Sequence, residues 1–267
     1  MSQKMFCIYQ NKKVAYQLLG KGDVLVLLHG FCEDSIMWAD FVQALHNKYT
    51  VLTIDLSGFG DSDLLEECSM EAMAKAVNAV LEVLEIEKCC MIGHSMGGYV
   101  GLAFAEIFGD KLLGLGLFHS HPYEDTKQKK ANREKTIGFI ERHGVAPFAA
   151  QFVKALFTPL FVKANRDYIE DLIQHTAEYH SDAVIAASRA MIARTDKQTV
   201  LEQIACPVLY IVGKEDTFID YTRSLEQTIL PNSAVIHILD GIGHMGMVEA
   251  RILSLEIVVE FMEYITT

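Results

Sequence analysis

A serine between glycines, a histidine after two glycines and an aspartate in a polar turn could together carry nucleophilic chemistry. The serine is Ser95, in Gly93-His94-Ser95-Met96-Gly97-Gly98. The short apolar run Cys89–Ile92 before it reads as a buried strand, and Tyr99, Val100, Leu102, Ala103, Phe104 and Ala105 after it read as a buried helix. A serine on so sharp a strand-to-helix turn has an exposed Oγ and a backbone at positive φ. Glycines two before and two after it leave room for the chain to double back. The helix that follows points its N-terminus at the hydroxyl, where developing negative charge is favoured.

A serine hydroxyl is a weak nucleophile at neutral pH and needs a base within hydrogen-bond reach. That base needs a carboxylate to fix its tautomer. Of the ten histidines, His244 is the best candidate. It follows an apolar run, Ala234–Leu239, and the glycines Gly241 and Gly243, in a loop that opens a helix. His29 and His94 lie in tight backbone turns, and the His94 ring cannot fold back onto Ser95 without strain. His119 and His121 make an H-x-H pair, but no third residue has the spacing of a metal ligand. His143, His175 and His180 are scattered through a polar, helical stretch. For the acid, Asp216 in Gly213-Lys214-Glu215-Asp216 follows the run Val208–Val212, with Glu215 and Asp220 as its close rivals. Asp240 is too near His244 in sequence and reads as a turn residue. After the run Leu112–Phe118 no carboxylate occurs until Glu124.

The elements that must position these residues follow in order. Met5–Tyr9 and Lys13–Leu18 read as a hairpin turning at Gln10-Asn11-Lys12. Val24–Leu28 and Thr50–Ile54 read as strands buried on both faces. Trp38–His46 reads as a helix. A second helix spans Ser69–Leu84, with Met73, Val77, Val80, Leu81 and Leu84 on one face and Ser69 as its N-cap. In Leu112–Phe118 the alternating Gly114 and Gly116 point to close packing. From about Tyr123 to Val200 the pattern is helical, broken at Gly144, Pro147 and Pro159, with no convincing strand. Within it, Lys127, Lys129, Lys130, Arg133 and Lys135 read as one solvated helix face. A helix from about Asp220 to Leu230 and a closing helix from about Met247 to Ile265 complete the pattern. Strands alternating with helices imply a mostly parallel, doubly wound α/β sheet of about eight strands. In such sheets the site lies beyond the carboxyl ends of the strands. His29, Asp55, Ser95, Ser120, Asp216 and His244 all sit there.

Length and composition agree. The chain has 267 residues, of which 51% are hydrophobic, enough for one large core with an inserted lobe. We expect residues 1–121 and 201–267 to form the core and 122–200 a helical cap. A formal net charge of −12 argues against nucleic acid or an anionic membrane as partner. The six cysteines, Cys7, Cys32, Cys68, Cys89, Cys90 and Cys206, show no metal spacing and read as reduced thiols of a cytoplasmic protein. Adjacent in a buried strand, Cys89 and Cys90 should point to opposite faces. Met1-Ser2-Gln3-Lys4 is not an apolar signal core, and no run approaches the roughly 18 apolar residues of a membrane span. Oligomeric state is not legible.

Taken together, His29-Gly30-Phe31, Asp55-Leu56-Ser57-Gly58-Phe59-Gly60-Asp61-Ser62, Gly93-His94-Ser95-Met96-Gly97-Gly98, Gly213-Lys214-Glu215-Asp216 and Gly243-His244 resemble the α/β-hydrolase family in motif, order and spacing. The resemblance covers nearly the whole chain. It implies a nucleophile–acid–base order Ser95, Asp216, His244, and an oxyanion hole made of the Phe31 and Met96 N–H groups. It implies no cofactor and no metal. The small-molecule substrate would be a carboxylic ester, thioester or lactone. Residues 123–200 resemble the small helical cap of carboxylesterases, enol-lactonases and acyl-carrier-protein esterases. Their apolar side chains, Phe139, Ile140, Phe148, Phe152, Leu156, Phe157, Phe161, Ile169, Leu172 and Ile173, would roof the serine or form the cap's own core. We expect His29, Gly30, Trp38, His119, Tyr123, Phe139, Phe157 and Met245 to contact substrate. Asp55 and Ser62 would brace their loop. A haloperoxidase-like perhydrolase or a carbon–carbon bond hydrolase would use the same triad. A dehalogenase or epoxide hydrolase would need aspartate at position 95. A non-catalytic ligand sensor would keep the pocket without turnover.

Overall fold

A computed structural model describes residues 4–266. Eight strands form one sheet: β1 (Met5–Tyr9), β2 (Lys12–Leu19), β3 (Val24–Leu28), β4 (Thr50–Ile54), β5 (Cys89–His94), β6 (Leu112–Phe118), β7 (Val208–Gly213) and β8 (Ala234–Leu239). Their spatial order is β1-β2-β4-β3-β5-β6-β7-β8. The β1–β2 and β2–β4 pairings are antiparallel, and every pairing from β4 to β8 is parallel. The hairpin turns at Gln10 and Asn11, which carry φ of 51° and 61°, the primed geometry that suits the twist of two paired strands.

Among the described residues, twelve α-helices connect or follow the strands: α1 (Ala39–Leu45), α2 (Met70–Val83), α3 (Met96–Phe108), α4 (Lys127–His143), α5 (Ala146–Leu156), α6 (Pro159–Ala164), α7 (Arg166–Ala177), α8 (Ser181–Ala193), α9 (Gln198–Gln203), α10 (Tyr221–Glu226), α11 (Gly246–Glu249) and α12 (Arg251–Thr266). The core lies on both faces of the sheet. Val26, Leu28 and Cys89 pack with α2 and α3 on one face. Leu25, Leu27 and Cys90 pack with Trp38, Phe41 and the α12 residues Val258, Phe261 and Met262 on the other. The alternation along β3, and the opposed pair Cys89 and Cys90, are the period-two geometry of a strand buried on both sides.

Ser69 caps α2 as its sequence suggests, its Oγ accepting from the Ala72 N–H at 3.1 Å. Two helices depart from expectation. The helix expected from Asp220 to Leu230 ends at Glu226 and tightens into a 3₁₀ turn, Gln227–Ile229. The closing helix breaks at Ala250, whose φ is −129°. The break lets the Glu249 carboxylate leave the helix line. It accepts from the Gly243 N–H at 3.0 Å and from the Thr158 N–H and Oγ1 at 3.0 and 2.7 Å, tying the loop after β8 to the start of α6. Helices α4 to α9 all lie between β6 and β7 in sequence and leave from the carboxyl edge of the sheet. Among the described residues, no helix is long and apolar enough to cross a membrane.

Candidate active site

The ends of β3, β5, β6, β7 and β8 each deliver one part of the site. Ser95 follows β5 with φ 49° and ψ −112°. That region is costly for a residue with a Cβ, by about 1–3 kcal/mol, and persists only where its surroundings impose it. Two hydrogen bonds and two close backbone approaches impose it here. The Ser95 N–H donates to the Phe118 carbonyl at 2.9 Å. The Ser120 hydroxyl donates to the Ser95 carbonyl at 2.8 Å. A Cβ on Gly93 would stand 2.2 Å from the Gly97 carbonyl oxygen, and one on Gly97 would stand 2.5 Å from that of Leu28. Only glycine lets the strand, the turn and the helix approach so closely.

The His244 Nδ1 lies 2.7 Å from Asp216 Oδ2, and both side chains are almost wholly buried. Asp216 Oδ1 accepts from the N–H groups of Phe218 and Ile219 at 2.8 and 3.0 Å. Burial pushes the Asp216 carboxyl up, but His244, His119 and the backbone donors outweigh it, so it is held far below the usual carboxylate range. An ionised Asp216 fixes the proton on His244 Nδ1 and leaves Nε2 able to accept another. Of the two rivals, Glu215 is exposed and Asp220 Oδ1 caps α10 through the Arg223 N–H at 2.9 Å. Asp240 pairs with Lys214 at 2.8 Å.

Ser95 and His244 line one cavity of about 280 Å³. No direct hydrogen bond joins the Ser95 hydroxyl to the His244 ring among the described residues. Such contacts are often long until a substrate is held. Phe31, Tyr99, Phe148, Phe152, Leu156, Met191, Phe218 and Ile219 form the apolar wall. Lys129, Asn132, Arg133, Thr136 and Ser188 make a polar section. Phe31 and Met96 occupy the first turn after the β3 end and the N-terminus of α3.

His94 does more than separate β5 from Ser95. Its Nδ1 lies 2.9 Å from Glu33 Oε2, and its Nε2 donates to the His244 carbonyl at 2.9 Å. Glu33 Oε2 also accepts from the Gly30 N–H at 2.6 Å. Burial opposes charge on both partners, yet each outweighs it for the other: the His94 ring is raised and the Glu33 carboxyl lowered. Glu33 was not identifiable from sequence. Its one signal is a carboxylate three residues beyond Gly30.

The eight side chains expected to meet substrate are placed away from the cavity wall. His29 is buried, its Nε2 accepting from the Leu56 N–H at 2.8 Å and its Nδ1 donating to the Gly30 carbonyl at 2.8 Å. Gly30 contributes its N–H to Glu33. Trp38 is fully buried against Phe41 and Phe118, because the 3₁₀ turn Ser35–Trp38 swings it under the sheet. His119 sits behind Asp216, 3.5 Å from Oδ2, between the Gly213 and Gly246 N–H groups; burial pushes its ring down to about 3, so it stays neutral. Tyr123 stacks under the Arg223 guanidinium at 4.1 Å. Phe139 packs on His143, and Phe157 stacks on Phe161 within the cap. Met245 is buried beside a second groove. The roof is instead made by Phe148, Phe152 and Leu156. His121, the other half of the H-x-H pair, packs between Tyr99 and Tyr123. Asp55 braces its loop, accepting from the Ser35 and Asp61 N–H groups at 2.9 Å each, while Ser62 Oγ donates to the Asp55 carbonyl at 2.6 Å.

Comparison with known proteins identifies the family of the fold. A family model described as alpha/beta hydrolase fold matches residues 23–250. The chain is 27% identical over 209 residues to 3-oxoadipate enol-lactonase 1 of Acinetobacter baylyi, covering 78% of this chain and 77% of that protein. It is 28% identical over 217 residues to the pimeloyl-[acyl-carrier protein] methyl ester esterase of Aeromonas hydrophila, covering 77% and 82%. Other curated relatives are longer, and the chain spans 62% or 44% of their length. Among solved structures, a thermophilic esterase from Thermogutta terrifontis in its malate-bound form superposes with a TM-score of 0.93 at 26% identity over 100% of both chains. The chain therefore belongs to the α/β-hydrolase fold family, with esterases and lactonases among its relatives.

Proposed function

We propose that the protein is a serine hydrolase of a small carboxylic ester, thioester or lactone, with Ser95 as nucleophile, His244 as base and Asp216 as the acid that orients it. The observation that carries this reading is the pairing of an ionised Asp216 with His244 Nδ1 at 2.7 Å, beside a serine held at φ 49° on the same cavity.

Ser95 Oγ attacks the substrate carbonyl as its proton passes to His244 Nε2. Asp216 stabilises the imidazolium through Nδ1–H. Negative charge gathers on the carbonyl oxygen, where the Phe31 and Met96 N–H groups each contribute roughly 3 kcal/mol to the transition state. His244 then gives its proton to the leaving alkoxide or thiolate, and an acyl group remains on Ser95. A water, deprotonated by His244, attacks that acyl group, and the Ser95 oxygen leaves with the proton. No proton is gained or lost by the protein over the cycle. The aromatic wall of Phe31, Phe148, Phe152 and Phe218 keeps bulk water away from the charges.

The test is a series of p-nitrophenyl acetate, butyrate and longer esters, assayed with the native protein and with Ser95→Ala. The reading requires the substitution to remove turnover. Equal rates for the two proteins would end it.

A further inference from the structure

Helix α4 reads in sequence as a charged, solvated face, yet part of that face lines the cavity. Lys129, Asn132, Arg133 and Thr136 fall at i, i+3, i+4 and i+7, the spacing that puts residues on one side of a helix. All four are among the residues that line the cavity shared by Ser95 and His244. An amphipathic helix ordinarily turns apolar residues inward at this period. Here Ile137 and Ile140 are the buried apolar residues of the helix, and a polar stripe beside them faces the cavity.

The charge in that stripe is not balanced. Asp125, whose side chain is fully buried, takes both Arg133 Nε at 2.6 Å and Arg194 Nη2 at 2.9 Å. Burial pushes the Asp125 carboxyl up, but the two guanidiniums hold it down at about 2, so one negative charge faces two positive ones. The neighbouring Glu124 pairs with Lys130 at 2.8 Å, on the outside of the helix. Lys129 therefore has no carboxylate partner among the described residues. Its Nζ donates to the Phe218 carbonyl at 3.0 Å, and two N–H donors remain. Burial, with Arg194 and Arg133 nearby, pushes the Lys129 ammonium down against the pull of Asp125 and Asp216. His121, close by, is pushed down to about 3 by burial and by Arg194, Lys129 and Arg223, and so stays neutral. In Asn132, Oδ1 accepts from Gln128, which leaves its N–H₂ to donate. A half-buried cation without a counter-charge is costly, and a bound anion removes that cost. The chain as a whole carries a formal charge of −12, so this is a local reversal of sign.

We propose that the polar stripe of α4 receives an anionic end of the substrate, with Lys129 donating to a carboxylate and Asn132 and Arg133 framing it. The substrate class is then an ester, thioester or lactone whose acyl part carries a second, free carboxylate. One ammonium with an amide beside it suits a single negative charge, and a cavity of about 280 Å³ suits a short dicarboxylic acyl group. The inference rests on the hydrolase reading above for its chemistry, but not for its binding site.

Two measurements separate the two claims. The first follows hydrolysis of mono-methyl glutarate and of methyl pentanoate by pH-stat, with the native protein and Ser95→Ala. Ser95-dependent turnover of either ester supports the hydrolase reading, and turnover of neither overturns it. A native kcat/KM at least about tenfold higher for mono-methyl glutarate supports the anion site, as hydrogen bonds to charged groups are the strong ones. A ratio of one or less overturns it. The second measures binding of glutarate and of pentanoate to the native protein, Lys129→Met and Lys129→Gln by calorimetry. Tighter binding of glutarate, lost to a similar degree in both variants, is the expected result. Glutarate binding no tighter than pentanoate, or unchanged in the variants, contradicts the site whether or not either ester is cleaved.

Discussion

His94 Nε2 donates to the backbone carbonyl of His244 at 2.9 Å, so the residue before the proposed nucleophile holds the main chain of the proposed base. The other ring nitrogen meets Glu33, which also accepts from Gly30 at the end of β3. One buried carboxylate thus links the chain just beyond three strand ends, those of β3, β5 and β8. With a carbonyl on one side and a carboxylate on the other, both ring nitrogens face acceptors, an arrangement that favours the imidazolium and raises the ring.

Glu33→Gln tests that link. Without the carboxylate the His94 ring reverts toward neutrality, keeps one N–H and loses one of its two contacts. We expect kcat to fall about tenfold or more, because Glu33 holds His94 and through it the His244 main chain. The pH profile adds a readout that a purely structural role would not move. The His94 pKa is raised, so its charge persists above the ordinary histidine value and is lost as pH rises through the raised one. The alkaline limb of kcat should therefore move to lower pH in Glu33→Gln. An unchanged limb would contradict the link.

Asp34 and His175 join the loop after β3 to α7 and should make that junction sensitive to pH. His175 Nε2 lies 2.7 Å from Asp34 Oδ2, and the Tyr179 hydroxyl donates to the same oxygen at 3.0 Å. The hydrogen bond to Asp34 raises His175; burial pushes Asp34 up, but His175 and its backbone donor bring it down to about 2. A raised histidine contributes stability below its unfolded value near 6.5 and loses it as pH climbs through the folded one. A lowered aspartate contributes above about 3.9 and loses it as pH falls toward 2. The contribution is therefore largest between about pH 4 and 6.5. Thermal unfolding of the native protein and of His175→Asn across pH 4–9 should show a gap that narrows toward the alkaline end. A gap that stays constant or widens there would refute the assignment.

The elbow predicts a steric effect. In Gly93→Ala the new methyl group would meet the Gly97 carbonyl, and it has no flexible side chain to displace. Overpacking of this kind costs about 1–3 kcal/mol, or more where backbone must move. Urea unfolding should show a lower midpoint, and activity should fall further than stability, because the turn that shifts is the one carrying Ser95. Full activity in a folded Gly93→Ala protein would show that the elbow is not held as described.

Trp38 separates a core role from a pocket role. It lies in the apolar face shared with Phe41, Phe118 and α12. Truncation to alanine should cost about 3–5 kcal/mol of stability, read from the urea midpoint. At temperatures where the variant is folded, its KM should stay near that of the native protein. A large rise in KM with little loss of stability would return Trp38 to the substrate.

The sheet was legible because its strands are short apolar runs ended by glycine, aspartate or histidine. Val24–Leu28, Thr50–Ile54, Leu112–Phe118 and Ala234–Leu239 coincide with the observed strands residue for residue. The candidate site was legible in part because its polar residues must stand just past those ends. What stayed hidden depends on contacts between segments distant in sequence. Glu33 pairs with His94 across 61 positions, and nothing near Glu33 announces its partner. Trp38 was drawn toward the site by nearness in sequence to His29-Gly30-Phe31, but a single 3₁₀ turn carries it to the opposite side. The segment between β6 and β7 was the least legible. Phe152 and Phe157 are alike in sequence, but Phe152 lies on the cavity side of α5 while Phe157, in the extended turn just after that helix, stacks on Phe161. In α4, Lys129 reads as one more solvent-facing lysine until the helix is packed.

Covalent labelling tests most directly whether Ser95 is a nucleophile activated by His244 and Asp216. The native protein, His244→Ala and Asp216→Asn would be treated with a small fluorophosphonate and the adduct located by peptide mass spectrometry. We predict one adduct per native chain, on Ser95, forming far more slowly in His244→Ala and slowed by up to about four orders of magnitude in Asp216→Asn. An adduct elsewhere, no adduct, or the same rate in all three proteins would contradict it.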